Sequence, residues 1–222
     1  MIYFVGSSFA PKHLKMAAIE RGLVMSKSIK EANLIFISED TPTDNGKRDL
    51  GVIRDLITDT IMKMDRGVLV LTSQVPPGFT RSLGFKMPFY HMAETLRVKD
   101  AAERAYSPEQ FIVGCENPEK ELPDVLNTYL RSFHCSVHQV TYEEAEFSKI
   151  AINMTLASQV ENANRLSKAA KAVGANWEKI IPILQDDRRI GPHSYLTPGR
   201  WQDSQHLLRD YVTLKEIENE TK

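Results

Sequence analysis

From Glu143 to Ala172 the chain runs about thirty residues without a proline or a glycine, and Ala145, Ile150, Met154, Ala157, Val160 and Ala163 recur at spacings of three to five. That pattern predicts one continuous helix, which at 1.5 Å per residue would be about 45 Å long. Gly174 follows as its stop. A rod of that length exceeds what a small sheet domain can cover. Its many alanines and serines allow close packing of helix on helix, for which a two-fold dimer interface is the simplest setting. The chain is therefore divided here: residues 1–141 as one domain, and 142–222 as a helical dimerisation domain containing the long helix.

The first part alternates. Ile2–Val5 is a short apolar run ending at Gly6, and Leu14, Ala17, Ala18 and Leu23 follow at near-helical spacing. Leu34–Ile37 reads as a second buried strand, followed by a polar stretch, Ser38 to Gly46, that reads as a loop. Leu50, Ile53, Leu56, Ile57 and Met64 mark an amphipathic helix, and Val68–Leu71 is a third strand after Gly67. Such alternation argues α/β, a parallel sheet with helices on its faces. Residues 78–105 are less legible, and Met92 to Ala105 is read as helical. Further on, Phe111–Val113 reads as a strand, Pro123–Phe133 as a helix and Ser136–Val140 as a strand. Trp177–Gln185 and the tail from Leu207 read as helices.

Composition removes several function classes. The 28 basic and 29 acidic residues leave a net charge of −1, so no overall field draws the chain to nucleic acid or a membrane surface. No apolar run approaches the ~20 residues that span a bilayer, and MIYFVGSS lacks a basic segment ahead of an apolar one. A cytoplasmic location is the default expectation. Cys115 and Cys135 fit neither a disulfide framework nor a metal site, and no metal is expected.

Two local patterns bear on chemistry. Gly6-Ser7-Ser8-Phe9-Ala10-Pro11 lies where the GxGxxG turn of a dinucleotide-binding unit would lie, with backbone N–H groups facing a pyrophosphate at a helix start. Only the first glycine is present, and an ordinary strand-to-helix turn is the plainer account. The ribose-binding carboxylate expected ~20 residues on is absent from Leu23–Ser28. Ser26 and Lys27 could face a 2′-phosphate or simply form a solvated turn. On the long helix, Lys149 and Asn153 are four apart and share a face. Such a pair can address one oxyanion, or be an ordinary solvated pair.

Taken in order, several blocks resemble the UDP-glucose/GDP-mannose (nucleotide-sugar) dehydrogenase family. Glu31–Ile37 is similar to its "eADvifI" strand, Thr41-Pro42-Thr43 to "TPt", and Leu71–Arg81 to "kSTVPpGTTR". Ser107-Pro108-Glu109 resembles "sPE", Ala145–Asn153 "AExxKxxxN", and Arg189-Ile190-Gly191 "RIG". Pro198–Asp210 resembles "PGxGFGGSCxPKD", with His206 at the position of the cysteine and Trp201 to Ser204 where the glycines stand. The resemblance implies a reduced Rossmann-like domain, a nicotinamide cofactor (NAD or NADP) held by Gly6, Ser8, Thr41, Pro42 and Ser73, and a sugar nucleotide, most naturally a UDP-sugar. It carries catalytic roles to Glu109, Lys149, Asn153 and Asp210, places His206 at the nucleophile position, and makes Arg189 a substrate-binding residue reaching across a homodimer. The family oxidises an alcohol to an acid in two hydride transfers, holding the aldehyde on its cysteine. Imidazole cannot form that thiohemiacetal, so one alcohol–aldehyde exchange is expected at most. The alternative is an inactive homologue used for binding or assembly.

Overall fold

The structure is a computed structural model, and it describes residues 1–44, 46–96 and 99–220. In chain order the elements are β1 (Ile2–Val5), α1 (Phe9–Glu20), β2 (Leu34–Ile37), β3 (Thr43–Asp44), β4 (Lys47–Arg48), α2 (Gly51–Lys63), β5 (Val68–Leu71) and α3 (Phe79–Ser82). They continue with β6 (Phe89–Met92), α4 (Ala101–Tyr106), β7 (Gln110–Cys115), α5 (Asp124–Arg131), β8 (Ser136–Thr141), α6 (Tyr142–Ala172), α7 (Trp177–Asp186) and α8 (Gln205–Glu220). The chain forms two compact units: Met1–Pro42 with Arg48–Lys149, and Thr43–Lys47 with Ile150–Lys222.

The first unit is α/β, as the alternation predicts. Its sheet has six strands in the order β1-β2-β5-β6-β7-β8. All neighbours are parallel except β6 and β7. Successive residues of β2 face opposite sides. Leu34 and Phe36 join Ala17 and Ala18 of α1 and Leu126, Tyr129 and Leu130 of α5, while Ile35 and Ile37 join Ile53 and Ile57 of α2 and Phe79 of α3. Helices thus cover both faces, and the side covered changes between α1 and α2. On the outer side of β1 there is a single bridge, Ile2 with Met25.

Two expectations need correction. The stretch Met92–Ala105 is not one helix: Met92 ends β6 and α4 starts only at Ala101, with Arg97 and Val98 outside the described residues. Strand β6 itself hides a polar residue, His91, which is 2% exposed. The loop Ser38–Gly46 is also more than a loop, because it enters the hairpin β3–β4. Gly46 in that hairpin, at φ +82, lies so close to Val212 of α8 that a Cβ would come within 2.4 Å of it.

The second unit is helical apart from that hairpin. Helix α6 forms over the expected span and ends as expected, with Gly174 at φ +77 and Ala175 N–H bonded to Ala170 O at 2.8 Å. No residue of α7 is buried. Among the described residues no helix is long and apolar enough to cross a membrane.

Candidate functional site

In the first unit β1, β2, β5 and β6 run parallel, so the segments after Val5, Ile37, Leu71 and Met92 leave at one edge of the sheet. Strand β7 runs against β6 and begins at that edge, which brings Glu109 there too. The change of covered face between α1 and α2 makes the gap between the ends of β1 and β2 the switch point where such sheets take ligands.

Backbone approach at this point is very close. Gly6, at φ +125, would place a Cβ 1.8 Å from Ser38 O, so glycine is required there. Thr41 and Ser73, expected at the cofactor, are buried. Thr41 Oγ1 donates to Gln74 O at 3.4 Å, and Ser73 Oγ accepts the Glu39 N–H at 2.9 Å. Pro42 is exposed, and its carbonyl accepts the Asp49 N–H at 2.7 Å. Ser8 caps α1 by position only, with no side-chain cap bond.

One residue that sequence reasoning passed over stands in this turn. Glu39 Oε2 accepts from Ser7 N at 2.6 Å and Ser7 Oγ at 2.9 Å, while Oε1 accepts the Asp40 N–H at 3.1 Å. Partial burial pushes the Glu39 carboxyl up, but the Ser7 backbone and side chain, the Asp40 N–H and the Ser8 hydroxyl together hold it below the usual carboxylate value. No local signal could have found this, because the contact joins residues 32 apart.

Glu109 is exposed and pairs loosely with Arg104 at 3.6 Å. In the first turns of α6 the buried carboxylate of Glu146 accepts from Gly78 N at 2.6 Å and Thr80 N at 2.8 Å, fixing the Pro76-Pro77-Gly78 turn. The glutamate stood in the "AExxKxxxN" block, and its position one turn before Lys149 on a buried face was the available signal. Burial pushes its carboxyl up against those bonds. Lys149 is half-buried. Burial raises the Cys115 and Cys135 thiols, so neither is an activated nucleophile. A cavity of about 500 Å³, lined by Arg81, Lys86, Tyr90, Lys120 and Tyr142 among others, opens at the opposite edge of the sheet and holds none of the expected site residues.

In the second unit Asn153 Nδ2 donates to Asp210 Oδ2 at 2.6 Å, with both residues buried. Arg209, also buried, lies 3.3 Å through Nη2 from His206 Nδ1. A guanidinium only donates, so His206 Nδ1 accepts in this contact. His206 itself is exposed on the first turn of α8. Trp201 is buried against Tyr211 and bonds Glu161 at 2.8 Å, filling space where the resemblance calls for small residues. Asn164 holds Gly199 through both its donor and its acceptor, at 2.7 and 2.9 Å. Arg189 is exposed and bidentate on Asp187, at 3.0 and 2.7 Å.

The chain is similar to known proteins over much of its length. Residues 143–222 fit the family model described as UDP-glucose/GDP-mannose dehydrogenase family, central domain. Over these residues, about a third of its length, the chain is similar to the central domain of that family. The UDP-glucose 6-dehydrogenase YwqF of Bacillus subtilis is 25% identical over 177 residues, covering 74% of this chain and 40% of that protein. An uncharacterized protein of Methanocaldococcus jannaschii, MJ1054, is 30% identical over 186 residues, 78% of this chain and 21% of its own. The chain thus spans less than half the length of these two curated relatives. A solved UDP-glucose dehydrogenase from Pyrobaculum islandicum superposes with a TM-score of 0.72 at 19% identity, covering 98% of this chain and 64% of that one. At that identity the likeness is one of fold.

Proposed function

We propose that this protein is a member of that family and an oxidoreductase exchanging one hydride between a nicotinamide dinucleotide, NAD or NADP, and the alcohol carbon of a sugar nucleotide, a UDP-sugar by preference. The buried Asn153–Asp210 pair on the family's central segment carries this reading. When bound, the dinucleotide supplies the hydride acceptor or donor. Gly6, Ser8, Thr41, Pro42 and Ser73 at the strand ends are the residues that would hold it. The turn at Gly6 suits an anion, since it already holds a carboxylate. Alcohol oxidation leaves negative charge on the substrate oxygen, and donors fixed beforehand lower the barrier to it. Lys149 and Asn153, one helical turn apart, are those donors, and Asp210 sets the orientation of the Asn153 amide. Glu109 takes the proton through water. With His206 at the nucleophile position and both thiols inert, the chemistry stops at the aldehyde.

Calorimetric titration with NAD, NADP and UDP-sugars, singly and together, tests this reading. Heat from a dinucleotide and a UDP-sugar together supports it, and silence in every combination sinks it. Where turnover is seen, Lys149→Ala is expected to lower kcat at least a hundredfold, on the scale of losing one oxyanion donor. An unchanged rate places the chemistry elsewhere.

A second reading, a non-oxidising homologue that binds a sugar nucleotide or assembles with other chains, is favoured by Glu39 in the turn and by the bulk of Trp201. Heat with the UDP-sugar alone is its signature. Under either reading we propose a homodimer through the α6–α7 face. Val173 and Ile183 are 81% and 68% exposed there, and helix faces of this kind are ordinarily buried against a partner. Arg189 would then serve the neighbour's ligand. Ile183→Glu should convert the dimer to a monomer in sedimentation velocity, and an unshifted sedimentation coefficient would remove this face from the interface.

A further inference from the structure

We infer that Glu39 sets the affinity of the β1–α1 turn for phosphates, by occupying as an internal anion the donors that a dinucleotide pyrophosphate would use. The inference rests on reading that turn as a dinucleotide site. Helix α1 has no acidic residue in its first turn and no side-chain cap bond, so its own sequence leaves the positive helix start uncompensated. Glu39 supplies the missing charge from the end of β2. Its backbone is anchored, because its N–H donates to Ser73 Oγ. Both carboxylate oxygens are engaged, one on the Ser7 N–H and hydroxyl, the other on the Asp40 N–H. A pyrophosphate arriving at Ser7 must break two of these charge-assisted bonds and then sit beside a displaced carboxylate of like charge. Each effect lowers its affinity.

The full-length chain, wild type and as Glu39→Gln and Glu39→Ala, is titrated with inorganic pyrophosphate and separately with NADH, while the Ser7 amide is followed by NMR. Glu39 is partly exposed and lies outside the buried core, so both variants should fold. Removing the carboxylate should tighten pyrophosphate binding about tenfold, the equivalent of one charge-assisted bond. In the wild type the Ser7 amide shift should titrate with a midpoint below 4.5, the carboxyl's ordinary value. Lowered in the fold, the carboxyl keeps its contact above that value and loses it as pH falls through its own midpoint. The same titration should vanish in both variants. Equal pyrophosphate affinity in wild type and variants, or a Ser7 amide indifferent to pH, overturns the inference. If the variants gain pyrophosphate affinity while NADH binds none of the three proteins, the role of Glu39 stands and the dehydrogenase reading of the site falls.

Discussion

Gly6→Ala should cost about 4 kcal/mol of stability, at the severe end of single substitutions. Two penalties coincide. The backbone sits at φ +125, outside the regions open to side chains, and the new Cβ would stand 1.8 Å from Ser38 O. Ser38 cannot simply retreat, since its N–H is bonded to Val5 O at 2.9 Å in continuation of the β1–β2 pairing. Gly84→Ala provides the scale: Gly84 has φ +63 with nothing within 4 Å of a Cβ, so only the left-handed penalty of about 1 kcal/mol applies. Urea unfolding of the two variants measures the difference. A Gly6→Ala protein as stable as the Gly84→Ala protein would mean that β1 and β2 do not meet as described.

The second large effect is acid sensitivity set by His91. The ring is 2% exposed, its Nδ1 has no hydrogen-bond partner, and burial depresses its pKa from 6.5 to about 4. The unfolded chain therefore takes up the proton first. The contribution of His91 to stability is complete above pH 6.5 and is lost as pH falls from 6.5 towards 4. At about 1.4 kcal/mol per pH unit the part of that window between pH 6.5 and pH 4.5 amounts to roughly 3 kcal/mol. His91→Leu, apolar and without a proton to bind, should flatten the wild-type decline between pH 7 and pH 4.5 in urea melts by about that amount. Parallel declines for both proteins would show that the ring is hydrated in the folded state.

Where local chemistry decides, the amino-acid sequence is explicit. The long helix shows itself through absent breakers and a terminal glycine, and β1, β2 and β5 through unbroken apolar runs. Strand β6 is obscured because its central residue is a histidine that only burial explains, and because Pro88 and two glycines precede it. The hairpin β3–β4 has two-residue strands, too short for alternation to register. The site divides in the same way. Lys149 and Asn153 announce themselves by spacing on one helix. Glu39 against Ser7, Glu146 against Gly78 and Asn164 against Gly199 are long-range pairings, and these emerge only when the chain is folded.

Strand β1 lies at the end of the six-strand order, with one bridge at Met25 on its outer side, whereas β2 is hydrogen-bonded along both edges. Local opening begins where the fewest bonds must break. The amides of β1 should therefore exchange with solvent sooner than those of β2, and the Gly6-Ser7-Ser8 turn, which continues β1, opens with it. The Gly6-Ser7-Ser8 turn thus belongs to an edge of the sheet, which opens more readily than its centre, and the Glu39 carboxylate bonded across it helps to keep that edge closed.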